Sequence, residues 1–326
     1  MWPLSFLCSF IPESSESSKQ VCPGESGKRG IMNFNVFVET IVQQLQKRMG
    51  EVYEIRVTEV TKNNDIRLTG IIMLKRSDRI SPTIYLEEPY RRFRGGAGIE
   101  AIVDDIVMLY EAQVRDVDLD MQFFCEYECV KDRIFHKLIN YEKNRKLLED
   151  VPHFRWCDLA IVFYYLMKEK TLGNATILIH ENHSKMWGQS ASDLYRTAQH
   201  NMKRRMPDLM VPMEKLVGEL TGIQIEDMPE TDLYVLTNKE KFYGASAMLY
   251  SDQMRVLADR LQSDLLILPS SVHEVLLLPD DTGKDYAFYR KMVAEVNETQ
   301  VEPEEILSGS LYRYERKKAE IKEIYV

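Results

Sequence analysis

The stretch TILIHENHSKMW, residues 176–187, sets His180 and His183 around Glu181 and Asn182 directly after an apolar run. Imidazole and carboxylate groups at short spacing are the ligands of a divalent metal such as zinc, and an open zinc site would make a metal-dependent enzyme, possible chemistry including hydrolysis. The helical form of that site needs two histidines four apart, whereas the position four after His180 is Ser184. On a strand, residues three apart point to opposite faces, so both rings could ligate one ion only if the backbone turned right after Glu181; Gly188 comes too late to make that turn. A fuller version adds His273 and Glu274 from SSVHEV, with ligands converging from two strand ends. The expected reading is ordinary hydrogen-bonded strand-end histidines and no cofactor, with the metal site at His180, His183, His273 and Glu274 as the alternative.

Other candidate chemistry is weighed the same way. RGGAG, from Arg94 to Gly98, precedes a helical pattern, so the amides of Gly95 and Gly96 could cradle an anion with Arg91, Arg92 and Arg94 alongside. It lacks both the P-loop lysine and the dinucleotide spacing, and a strand-to-helix turn is the simpler expectation. DVDLD, Asp116 to Asp120, resembles half a calcium loop, but Met121 and Tyr127 stand where glycine and glutamate are needed. Ser270 and Ser271 sit beside His273 without the glycines of a nucleophile elbow, so they are expected to make a turn. Cys125 and Cys129 are four apart with no second pair at zinc-finger spacing.

Composition bounds the rest. The chain has 326 residues, 44% hydrophobic and 29% charged, which is enough apolar surface for folded modules. A formal net charge of −9 makes the average surface repel phosphate, so non-specific nucleic-acid binding is not expected; a local basic patch would have to come from YRRFR or MKRRMP. Five scattered cysteines fit a reducing, cytoplasmic compartment, and no run is long enough to cross a membrane. Residues 1–31 read as a disordered leader, or as an artefact of start-site choice, since GKRGIM can be encoded by a purine-rich run just before an ATG.

These residues must be positioned by an α+β fold, with two modules of mainly antiparallel sheet and helices packed on one face. Residues 32–118 read as α-β-β-β-α: a helix from Phe34 to Gly50, a hairpin across KNND, a strand in SPTIYLE at the sheet edge, and a helix after RRFRGGAG. Residues 119–326 form the second module. There VKDRIFHKLINYEKNRKLLED reads as helical, CDLAIVFYYLM and NATILIHE as paired strands, and SASDLYRTAQHNMKRRM as a helix capped by Ser190, with His200 on its exposed face. TDLYVLTN and DLLILPSSVHEVLLLPD supply three strands, ASAMLYSDQMRVLADRLQ and KDYAFYRKMVAEVNE two helices, and SLYRYERKKAEIKEI a closing hairpin.

The stretches NDIRLTGIIMLKRSDRISPTIYLEEPY, VPHFRWCDLAIVFYYL, TAQHNM, FYGASAMLY and SDLLILPSSVHEVLLLPDD resemble an uncharacterised bacterial domain-of-unknown-function family, DUF5688-like, found in Gram-positive anaerobes and often near mobile elements. The resemblance covers everything after Met32. A second uncharacterised bacterial family is similar through an asparagine in the TAQHNM helix and a histidine before the last apolar strand, which correspond to Asn201 and His273. The resemblance implies an organism class and no activity. Together these readings point to a non-enzymatic cytoplasmic protein that binds another protein or a small ligand, as an accessory product of a mobile element.

Overall fold

The computed structural model describes residues 32–75, 81–114, 124–168, 174–221, 232–281, 283 and 285–325. Helix α1 (Phe34–Met49) forms as its spacing predicts: the Asn33 side chain accepts from the Val36 amide at 2.9 Å, and Gly50 ends the helix at φ 73°. Its stripe of Phe37, Ile41 and Leu45 covers a three-stranded antiparallel sheet of β1 (Tyr53–Thr61), β2 (Arg67–Lys75) and β3 (Thr83–Tyr85) in that order. β3 is an edge strand, where a preceding proline is tolerated.

One helix here was not foreseen. LEEPYRRFR is not a strand exit but leads into α2 (Glu87–Arg94), so RGGAG joins two helices rather than a strand and a helix. Pro89 lies in the first turn, where its missing N–H costs nothing, and Glu87 and Glu88 at the start with three arginines at the end complement the helix dipole. Helix α3 (Ile99–Val114) follows and packs Ile102, Val103 and Ile106 into the same core. The expected module boundary at 118–119, the DVDLD stretch and the leader 1–31 lie outside the described residues.

The rest of the chain builds two sheets. The ten residues of β6 (Leu159–Lys168) form a hub, with β4 (Ile134–Asn140) along one edge and β5 (His153–Trp156) and β7 (Asn174–Leu178) in succession along the other. The β4 segment corrects the helical reading of VKDRIFHKLINY: six of its seven residues are buried, and pairing with β6 overrides a helix-like spacing. The strand expected over NATILIHE ends at Leu178, and helix α4 (Glu181–Trp187) begins after His180. Helix α5 (Ala191–Arg205) does start at Ser190, which shares a reciprocal cap with Asp193, and His200 on it is exposed.

The second sheet has the order β13 (Glu320–Ile324), β12 (Leu311–Glu315), β10 (Leu265–Pro269), β11 (Val275–Pro279), β9 (Tyr234–Asn238), β8 (Asp208–Pro212), and every described pairing is antiparallel. The α+β class is therefore the observed one. The six-stranded sheet is covered on both faces. Leu265, Ile267 and Leu277 share a core with Leu138, Leu159 and Ile161 of the smaller sheet and with helix α7 (Gln253–Leu261); Leu266, Leu268 and Leu276 meet Met213 and Leu216 of α6 (Met213–Thr221) and Val293 and Val296 of α8 (Tyr286–Thr299). Double coverage explains why LLIL and VLLL are continuous rather than alternating apolar runs. Among the described residues no helix is long and apolar enough to cross a membrane.

The N-terminal sheet is joined to this body through the tip of the β1–β2 hairpin. Asn64, in the left-handed region at φ 62°, donates its amide to Asn144 Oδ1 at 2.8 Å, and Asn144 Nδ2 donates back to Asn64 Oδ1 at 3.1 Å. Asn64 Nδ2 also donates to the carbonyls of Pro303 and Ile306 at 2.8 Å each, and Asn63 Nδ2 to that of Glu304 at 2.7 Å. Asparagine is one of the few residues that tolerates this backbone conformation, so one residue supplies both the turn and the clasp.

His136 lies in the centre of β4 with its ring fully buried against Tyr195 and Tyr250, and neither ring nitrogen has a hydrogen-bond partner among the described residues. Burial pushes its pKa down to about 3, so the folded protein holds it neutral while the unfolded chain takes up a proton as pH falls through about 6.5. Stability is thus fully present above that value and is lost on acidification. Chemical denaturation should show that wild type loses about 2 kcal/mol more than His136→Phe between pH 7 and pH 5; identical losses would refute the assignment.

Candidate functional site

A cleft of about 480 Å³ opens where the hairpin tip meets the two larger sheets. Six separate segments contribute to its lining: Lys62 and Asn63 from the tip, Lys137 from β4, His180 from the start of α4, Tyr243 and His273 from two loops of the six-stranded sheet, and Glu304 and Glu305 from the loop after α8. Lys137 and Ile139 face the cleft because strand residues two apart share a face, which sends His136 and Leu138 the other way into the core.

The C-terminal wall is a stack. Lys137 Nζ lies 4.2 Å from the centroid of the Tyr243 ring, and Tyr243 stacks on His273 at 5.6 Å with an interplanar angle of 6°. The Tyr243 amide donates to His273 Nδ1 at 3.1 Å, which fixes the neutral tautomer with its proton on Nε2. Nε2 lies 3.4 Å from Glu305, and this contact holds the Glu305 carboxyl below its ordinary pKa. Glu305 is tied down in turn by its carbonyl, which accepts from the Val272 amide at 2.9 Å.

The stack depends on a strained loop. Lys241 and Tyr243 both have left-handed backbones, at φ 52° and 50°, a conformation costly for side chains of this size. Gly244 follows, and a Cβ there would lie 2.0 Å from Thr237 Oγ1 and 2.5 Å from the His273 carbonyl. Only glycine lets the Tyr243 loop lie this close to the His273 turn. The second wall is sparser: Lys62 Nζ lies 4.3 Å from the Tyr85 ring, and Glu304 is pushed above its ordinary pKa by burial, an effect that nearby Lys62 opposes.

The sequence-derived metal residues divide. His180 and His273 do line one cleft. However, His180 is the N-cap of α4, so the backbone turns one residue before Glu181; its Nδ1 bonds Asp150 at 2.9 Å, and His183 Nδ1 accepts from the His180 amide at 3.1 Å. Gly188, set aside as too late for a turn, is the left-handed cap at the other end of this helix. Glu274 is buried and accepts from the Ser270 and Ser271 hydroxyls at 3.2 and 2.8 Å, which also occupies those serines. Among the described residues no group of three or more His, Cys, Asp or Glu side chains is placed to hold a metal ion.

The arginine and glycine residues lie outside the cleft. The amides of Gly95, Gly96 and Ala97 donate to the carbonyls of Arg91, Phe93 and Arg92, closing the C-terminus of α2 rather than facing an anion, and Arg91 and Arg92 pair with Glu88 and Asp105. Arg94 is exposed beside that negative helix end. Asn201 is buried and donates to the carbonyls of Lys131 and Ile134 at 2.7 and 2.9 Å, so it pins the start of β4. Lys62, Lys137, Tyr243 and Glu305 were not singled out from sequence. The one local signal was Lys137 as the lone charge inside IFHKLIN, and it becomes legible only once that run is known to be a strand.

A family model described as "Family of unknown function (DUF5688)" matches residues 34–316. No curated protein and no solved structure matches the chain.

Burial raises the pKa of Glu274 above its ordinary value, outweighing the serine hydroxyls and His273, which lower it. The unfolded chain therefore releases this proton first, and stability is lost as pH rises through the folded pKa. Glu274→Gln keeps the acceptor oxygen without the charge. It should match or exceed wild type in urea denaturation, by a margin that grows from pH 5 to pH 8; a loss of more than about 2 kcal/mol would show that the carboxylate itself is needed.

Proposed function

The chain belongs to DUF5688, a family of unknown function, and on that premise we propose that it is a binding protein that holds a small polar ligand in the cleft between the N-terminal sheet and the two larger sheets. The observation that carries this reading is the convergence of Lys62, Lys137, Tyr243, His273 and Glu305 from separate segments onto one cleft. Its volume, about 480 Å³, falls within the roughly 300–1,000 Å³ of small-molecule sites, which favour such junctions between modules. On this reading residues 32–118 and 119–326 are the two modules, and the ligand touches both.

A binding role is better supported than catalysis. Both ring nitrogens of His273 are occupied within the protein, Nδ1 by the Tyr243 amide at 3.1 Å and Nε2 by Glu305 at 3.4 Å, so neither is turned to a substrate. The metal-dependent hydrolase would need His183 and Glu274 to leave their present hydrogen bonds. A cytoplasmic location and an accessory role in a mobile element remain part of the proposal: free thiols at Cys125 and Cys157 favour the first, and the family resemblance suggests the second.

Thermal denaturation of the full chain against a panel of small polar metabolites tests the reading, with Lys137→Met as the control that keeps the alkyl stem and removes the charge. A ligand at a hundred times its Kd should stabilise wild type by about 2.7 kcal/mol, a shift of several degrees, and should stabilise the variant much less. Shifts of equal size in both proteins, or none in wild type, would refute the cleft as the binding site.

A further inference from the structure

We propose that the ligand of this cleft is a zwitterion of the α-amino-acid type, a free amino acid or a dipeptide, with its carboxylate between Lys62 and Lys137 and its ammonium on Glu304 and Glu305. The inference rests on the reading of the cleft as a ligand site and goes beyond it in naming the chemical class.

The cleft is lined by charges of both signs, two lysines and two glutamates. Lys62 and Lys137 each lie over a tyrosine ring, and neither has a carboxylate within 4.0 Å among the described residues. A tyrosine face orients an ammonium without neutralising it, so Lys137 keeps its field for an incoming anion, while Lys62 also acts on nearby Glu304. Glu304 and Glu305 are neighbours on one loop of the same cleft, with Lys62 near enough to Glu304 to oppose the effect of its burial. The Glu305 carboxylate lies 3.4 Å from His273 Nε2, and no lysine or arginine lies within 4.0 Å of it among the described residues.

Complementarity then selects the ligand. A phosphate or other polyanion would gain the two lysines but face two carboxylates; a polyamine would meet the reverse conflict. A molecule with one charge of each sign gains from both sets and repels neither. Asn63, on the lip between Lys62 and Glu304, adds a directional cue: its Nδ2 is spent on the Glu304 carbonyl, and its buried Oδ1 has no donor among the described residues. That oxygen can accept only from an N–H or O–H, which an ammonium supplies and a carboxylate or phosphate ester does not. Phe242, beside Tyr243, provides an aromatic surface for an apolar side chain.

The test uses the full chain in calorimetric titrations with the free amino acids, a set of dipeptides, the N-acetyl and C-amide forms of any that bind, and inorganic phosphate and nucleotides as probes of single-sign charge. At least one free amino acid or dipeptide should bind. Blocking its amine or its carboxylate should weaken binding at least tenfold, and Glu305→Gln should reduce the penalty for N-acetylation while Lys62→Met reduces the penalty for C-amidation. Lys62 is on a surface turn, and the blocked ligands report on wild type alone, so the outcome does not depend on a core variant folding. Equal binding of free and blocked forms would overturn the zwitterion. So would binding of phosphate or nucleotide alone, which, if lost in Lys137→Met, would keep the cleft as a ligand site. No binding of any probe to wild type would overturn both readings.

Discussion

The reciprocal hydrogen bonds between Asn64 and Asn144 hold the candidate site in being, because they join two parts of the chain that each bury their own core. Asn144 is buried and also donates to the Asn140 carbonyl, while Asn140 reaches the Leu307 carbonyl, so the network runs from the hairpin tip through the end of β4 to the loop that bears Glu304 and Glu305. Every link is amide to amide or amide to carbonyl, which carries direction without net charge. Removing one partner would leave buried amide groups unsatisfied, at a cost of about 1–3 kcal/mol each. The cleft is the space that this network leaves between the parts it ties together.

Rigidity on one side of the cleft comes from elsewhere. β10 and β11 are buried on both faces, Gly244 allows the Tyr243 loop to lie against the His273 turn, and the resulting stack of Lys137, Tyr243 and His273 has little freedom to rearrange. The other side is lighter, since Lys62 and Asn63 sit on a short turn at the end of a two-stranded hairpin. Asymmetry of this kind suits a binding site, with one preorganised wall that sets specificity and one that can settle onto the ligand.

Much of the architecture was legible in the sequence. The α1 cap at Asn33, the hairpin across KNND, the edge position of β3 and the Ser190 start of α5 all follow from local chemistry, and the structure places them where that chemistry does. The failures have a common cause. IFHKLIN reads as helix because its strand character comes from pairing with β6 and burial on both faces, which are tertiary facts, and LEEPYRRFR reads as an exit because a proline in a first turn looks like a breaker. The site was legible only in part: His273 and His180 were found and do share a cleft, but Lys62, Lys137 and Glu305 are ordinary surface residues until the fold brings them together. His183, Glu274 and Asn201 drew attention for their chemistry and turn out to hold a helix cap, a serine turn and a strand start.

The most direct measurement is hydrogen–deuterium exchange on Asn64→Gly beside wild type. Glycine keeps the left-handed backbone accessible at this position while deleting the side chain that bonds Asn144, Pro303 and Ile306. If the clasp holds the cleft together, peptides covering 61–66 and 302–307 should exchange faster in the variant while β10 and β11 keep their protection. Unchanged exchange at 302–307 would contradict the clasp and, with it, the cleft as a site assembled by the two parts.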